Sequence, residues 1–97
     1  MMKREDYIRQ LSACKQQLMQ KFGVRSIRLF GSVARGENHE GSDLDICVET
    51  ETPNPFLLMD LKEELERMFK HSVDIVRYRE RMNPYLRQQI EKEGIYV

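Results

Sequence analysis

Alternating helical and extended patterns predict a single α/β domain over residues 1–97, a small mixed β-sheet with flanking helices. Three observations lead there. Ninety-seven residues bury one modest core and cannot be divided into a catalytic half and a substrate-reading half. Apolar residues recur every three or four positions in long segments and alternate in short ones. Glycine and Asn-Pro punctuation separates these segments, with no internal repeat, low-complexity tract or linker.

In chain order, a first helix is expected from Glu5 to Phe22, with Tyr7, Ile8, Leu11, Leu18 and Phe22 on one face and Gly23 as its stop. A short strand, Ser26 to Phe30, runs into Gly31-Ser32, where a tight turn and a helix-capping residue predict a short helix closing at Gly36. The polar loop Glu37 to Ser42 delivers a second strand, Asp43 to Glu49, whose alternation sets Leu44, Ile46 and Val48 against Asp43, Asp45 and Cys47. Thr52-Pro53-Asn54-Pro55 then breaks the sheet. Asn54 is the expected cap and Pro55 the first residue of a helix reaching Lys70, with Leu58, Leu61, Leu65 and Met68 as its buried stripe. A third strand, Ser72 to Arg77, is short and central in character. Asn83-Pro84 announces a last helix, Gly94 stops it, and Ile95 to Val97 are expected to add an edge strand.

The chemistry concentrates in Gly31-Ser32-Val33-Ala34-Arg35-Gly36 and, after a loop, Ser42-Asp43-Leu44-Asp45. Carboxylates two apart on a strand point the same way and repel, a conflict that a divalent cation removes. Magnesium takes one or two protein carboxylates together with substrate phosphates. A second ion needs a third carboxylate. Asp74 is the candidate, because Val73-Asp74-Ile75-Val76 is apolar and an unpaired buried anion there would be costly. Its alternative is an ion pair with Arg77 or Arg79. Beside Asp43 and Asp45 in suitable register, Asp74 would allow two ions about 3.5 to 4 Å apart to clamp attacking and leaving oxygens. Gly31 permits close backbone approach to a phosphate, the following amides and the Ser32 hydroxyl can hold it, and Arg35 can add charge.

These residues resemble the signature of the DNA polymerase β-like nucleotidyltransferases: Gly-Ser, ten residues (33 to 42), then Asp-x-Asp. More narrowly, Gly-Ser-x-Ala-Arg-Gly, Ser-Asp-x-Asp, Val-Asp-Ile-Val and a terminal Asn-Pro-Tyr-Leu-Arg helix resemble the MNT-domain antitoxins, or minimal nucleotidyltransferases, over nearly the whole chain. The resemblance implies magnesium on Asp43, Asp45 and Asp74, and nucleotide phosphate on Gly31 and Ser32. It also implies a partner, a HEPN-domain RNase toxin silenced when AMP passes from ATP to one of its tyrosines. The signature's third residue is often arginine; Val33 stands there, which bears on phosphate contacts or partner fit rather than on metal ligation.

Composition narrows the alternatives. Sixteen basic and sixteen acidic residues cancel, so no overall positive field favours non-specific nucleic-acid binding. No stretch approaches the roughly 20 apolar residues of a membrane span, and no apolar signal region follows the N-terminal Met1-Met2-Lys3-Arg4, so a cytoplasmic protein is expected. Cys14 and Cys47 are expected to be reduced and structural. His39 falls in a solvated loop and His71 at a helix end. Met59, Met68 and Met82 suit core gaps or partner contacts, and Arg77, Arg79, Glu80 and Arg81 form a charged edge. A hetero-oligomer with the toxin is expected, and competing with the enzyme are a non-catalytic antitoxin or nucleotide-binding module that neutralises by covering its toxin, and a transferase acting on a small molecule or nucleic-acid end.

Overall fold

The computed structural model describes residues 2–97; Met1, first residue of the N-terminal stretch read above, lies outside the described residues. The order is α1 (Arg4–Phe22), β1 (Val24–Phe30), α2 (Gly31–Arg35), β2 (Leu44–Thr50), α3 (Pro55–Phe69), β3 (Val73–Arg77), α4 (Pro84–Glu93) and β4 (Ile95–Tyr96). The four strands form one sheet in the order β3-β2-β1-β4. β1 pairs antiparallel with β2 and β4, whereas β2 and β3, joined through α3, are parallel. The expected mixed α/β sheet is therefore the one observed.

Helices cover both faces. α1 and α3 pack on one side, where Leu11, Leu18, Leu61 and Leu65 meet Ile27, Leu29, Leu44, Ile46 and Val48. The other side carries a smaller cluster of Phe30, Cys47, Met82 and Ile90, closed by Leu86 of α4. The alternation along β2 thus separates two cores, and both of its faces are buried at Ile46 and Cys47. Burial pushes the Cys47 thiol up to about 11, so it stays neutral and unreactive at physiological pH. Both cysteines are free.

Local signals act as their chemistry dictates. The Asn54 side chain accepts hydrogen bonds from the Phe56 and Leu57 amides, and Asn83 does the same for Tyr85 and Leu86, each followed by proline at the first helical position. Three expectations need correction. Ser32 does not cap α2: Phe30 holds that position and Ser32 lies inside the first turn. Met68 is exposed and Phe69 buried, because α3 ends at Phe69 and its stripe turns with the 3.6-residue period. Of the other methionines, Met59 is exposed and so is not a core residue, which leaves the partner-contact reading open, while Met82 does fill the core. β3 is an edge strand, not a central one.

Candidate active site

Three elements converge at one end of the sheet. β1 ends at Phe30, which pairs with Asp45 near the start of β2, and Asp45 pairs in turn with Asp74 of β3. Residues directly opposite in a parallel ladder point the same way, so the two carboxylates share a face. The third carboxylate, Asp43, stands one residue before β2 and is exposed. Asp74 is exposed as well, which corrects the expectation of a buried anion; its place is set by register rather than by desolvation. Among the described residues it forms no ion pair with Arg77 or Arg79.

Electrostatic strain collects on Asp45. Burial, the Asp74 charge and the Asp43 charge together push its carboxyl up to about 6, while Arg35 pulls it down and Glu93 adds to the rise. Gly31 explains how the backbone comes so close. Its φ is +75°, and a Cβ there would collide with the Asp45 carboxylate, its Cγ lying only 2.9 Å away. Glycine therefore supplies both the left-handed turn and the space beside the anion. α2 has only five residues, so whatever it offers a phosphate comes from individual amides and the half-buried Ser32 hydroxyl, not from a long helix dipole.

Arg35 is held beside the carboxylates by Glu93, at 3.0 Å, and faces Glu37 at 3.5 Å. Glu93 was not singled out in the sequence: 58 positions separate it from Arg35, and no local pattern links them. Among the described residues no group of three or more acidic, histidine or cysteine side chains is placed to hold a metal ion, so Asp43, Asp45 and Asp74 are not drawn together as a three-carboxylate site. An open set is what magnesium uses when phosphates and waters complete its shell. The facing pair Asp45 and Asp74 and the repulsion on Asp45 fit such an ion, with substrate phosphates as further ligands.

Two further features flank the site. An open cavity of about 800 Å³ lies beside Asp43, lined by Tyr7, Val33, His39, Ser42 and His71. His71 lies two residues past the end of α3 rather than at the expected helix end, and its Nε2 lies 2.7 Å from the buried Tyr7 hydroxyl. Behind the site, Arg28 is 7% exposed, its guanidinium stacked between Tyr78 and Tyr96 at 4.6 and 4.8 Å from the ring centroids and 3.3 Å from Glu49. The strand alternation of Arg28 with Ile27 and Leu29 was the available signal for a residue on the second sheet face.

The nucleotidyltransferase domain family model matches residues 11–97. A Methanocaldococcus jannaschii relative provisionally named a protein adenylyltransferase is 42% identical over 86 residues, covering 86% of each chain. Protein adenylyltransferase MntA of Thermococcus cleftensis is 38% identical over 88 residues, covering 90% of this chain and 88% of its own. Among solved structures, one provisionally described as a minimal nucleotidyltransferase superposes with a TM-score of 0.81 at 37% identity, covering 99% of this chain and 97% of the other. A toxin-antitoxin complex with AMP-PNP gives 0.73 at 28%, covering 87% and 69%. A tri-AMPylated Shewanella oneidensis HEPN toxin in complex with MNT antitoxin gives 0.64 at 26%, covering 90% and 69%. The chain therefore belongs to the nucleotidyltransferase domain family, as a nucleotidyltransferase of the minimal, MNT-domain type with the DNA polymerase β-like fold.

Proposed function

We propose that this nucleotidyltransferase moves AMP from ATP, with two magnesium ions, onto a tyrosine of a partner HEPN-domain toxin and so neutralises it. The observation that carries the reading is the register of Asp45 against Asp74 beside the Cβ-free Gly31. Supporting it, a relative bears the name protein adenylyltransferase, and similar structures are a complex with AMP-PNP and an AMPylated toxin with its MNT antitoxin.

Asp43, Asp45 and Asp74 would hold the metal. Bound there, magnesium would neutralise the carboxylates and the phosphates and make the acceptor oxygen more nucleophilic. The chain's own residues then do the positioning. The Gly31 turn and the Ser32 hydroxyl hold the outgoing phosphates, and Arg35, oriented by Glu93, adds positive charge next to Asp45. The tyrosine oxygen attacks the α-phosphorus, its proton leaves to water, the bond to the bridging oxygen breaks, and pyrophosphate departs. Aligning these groups supplies most of the acceleration available in such a transfer.

The test is incubation with magnesium, α-labelled ATP and the HEPN partner, read by intact mass. An AMP added to the partner by the wild type and not by Asp45→Asn supports the reading. A stable complex with no transfer replaces it by a non-catalytic antitoxin that acts by covering its toxin.

A further inference from the structure

We infer that the open edge of β3 is the strand on which the acceptor docks: an extended, acidic segment of the partner adds to the sheet there and is led to Asp74. The inference rests on the reading above that the acceptor is a protein.

Backbone pairing comes first. The Leu44 amide donates to Ser72 at one end of the β2–β3 ladder, and the Tyr78 amide donates to Val48 at the other. Parallel pairing alternates, so residues 72, 74, 76 and 78 turn their peptide groups to β2, and residues 73, 75 and 77 turn theirs outward. The outward Val73 amide is taken by the Glu66 carboxylate at 3.1 Å. Those of Ile75 and Arg77 face the edge that no strand among the described residues occupies. Soluble proteins usually blunt such an edge with lysine, proline or a covering loop. Here it is bordered by a groove of about 540 Å³.

The groove has the shape of a missing strand's surroundings. Pro55 and Leu58 of α3 form one wall, Met82 and Leu86 the other, and Ile75 and Val76 the floor. Side chains of an added strand alternate between the two faces, and an apolar wall waits on each. Phe56, 77% exposed, and Met59, 60% exposed, extend the apolar surface at the same end of α3. Charge selects the occupant. Arg77 and Arg79 line the groove, no carboxylate does, and neither arginine is ion-paired among the described residues. Continuity with the site supplies the purpose: Asp74 lies three residues from Arg77 on the same strand, about 10 Å along it, and is paired with Asp45. A segment held on this edge presents a residue at its end to the carboxylates.

The test uses the full chain and the purified HEPN partner. Amide exchange at Ile75 and Arg77 is measured with and without the partner, and partner affinity is measured for Arg77→Pro, Arg77→Glu and Arg77→Lys. The Arg77 amide is not used by the ladder, so proline removes an outward donor without breaking the sheet. Docking predicts exchange slowed by about tenfold or more at both positions, with affinity about tenfold weaker in the proline and glutamate variants, retained in the lysine variant, and ATP affinity unchanged throughout. Unprotected amides and unaltered affinity while AMP transfer continues would overturn the docking strand and leave the transferase standing. Protection without transfer would do the reverse, and a wild type that forms no complex overturns both.

Discussion

Asp45 is the residue on which fold and chemistry conflict most directly. Its folded-state pKa, about 6, lies above the ordinary 3.8, so the folded protein holds an extra proton between those values. Stability of the metal-free protein is accordingly expected to fall as pH rises through roughly 4 to 6, the reverse of a salt-bridged carboxylate. Thermal melts in chelator across that range check the sign. Asp45→Asn removes the charge and should abolish transfer while leaving the helical circular dichroism intact. After allowance for solvent screening it should raise metal-free stability at pH 7 by about 1 kcal/mol, or about 4–8 °C. Gly31→Ala should do the opposite, costing about 1–3 kcal/mol through a positive φ and a collision with Asp45, and weakening magnesium binding with it. As candidates, Asp43, Asp45, Gly31 and Ser32 were legible because each pair is local: Gly31 and Ser32 open α2, and Asp43 and Asp45 straddle the start of β2. Asp74 was picked for the wrong physical reason: it was expected to be buried, yet register against Asp45 brings it to the site.

At the scale of elements, the helix starts were plain because Asn-Pro carries both a side-chain acceptor and a fixed φ, and both copies cap as expected. The end of α3 was less so. Lys70 occupies the left-handed region at φ 59°, a conformation the sequence does not advertise without glycine. Lys70→Gly is therefore expected to stabilise the protein by about 1 kcal/mol, measured as a higher urea midpoint at unchanged slope. Asn54→Ala should cost about 1 kcal/mol by leaving the Phe56 and Leu57 amides without their acceptor, checked in the same titration. The rank of β3 in the sheet was misread because its apolar run, Val73 to Val76, looks the same whether a second strand or the flanks of a groove cover it.

Across the whole molecule, the candidate carboxylates come from β2, the segment before it and β3, and the Gly31 turn from the end of β1, so a ligand bound among them would be thermodynamically linked to the fold. Magnesium with ATP should raise the unfolding free energy by about 2.7 kcal/mol at a hundred times the dissociation constant, and a chelator should remove the gain. ATP without a divalent ion is expected to stabilise much less, since its phosphates would meet the Asp45 and Asp74 charges unscreened. No helix among the described residues is long and apolar enough to cross a membrane.

The sequence by itself determined the segment types, the two Asn-Pro caps and the spacing that joins Gly31-Ser32 to Asp43 and Asp45, because each depends on neighbours within a few residues. Tertiary structure decided the strand order, the approach of Asp74 to Asp45, the clasp of Glu93 on Arg35 and the burial of Arg28 between two tyrosines. Those depend on which distant segments share a face, and hydrophobic periodicity records only that a face is covered, not by what.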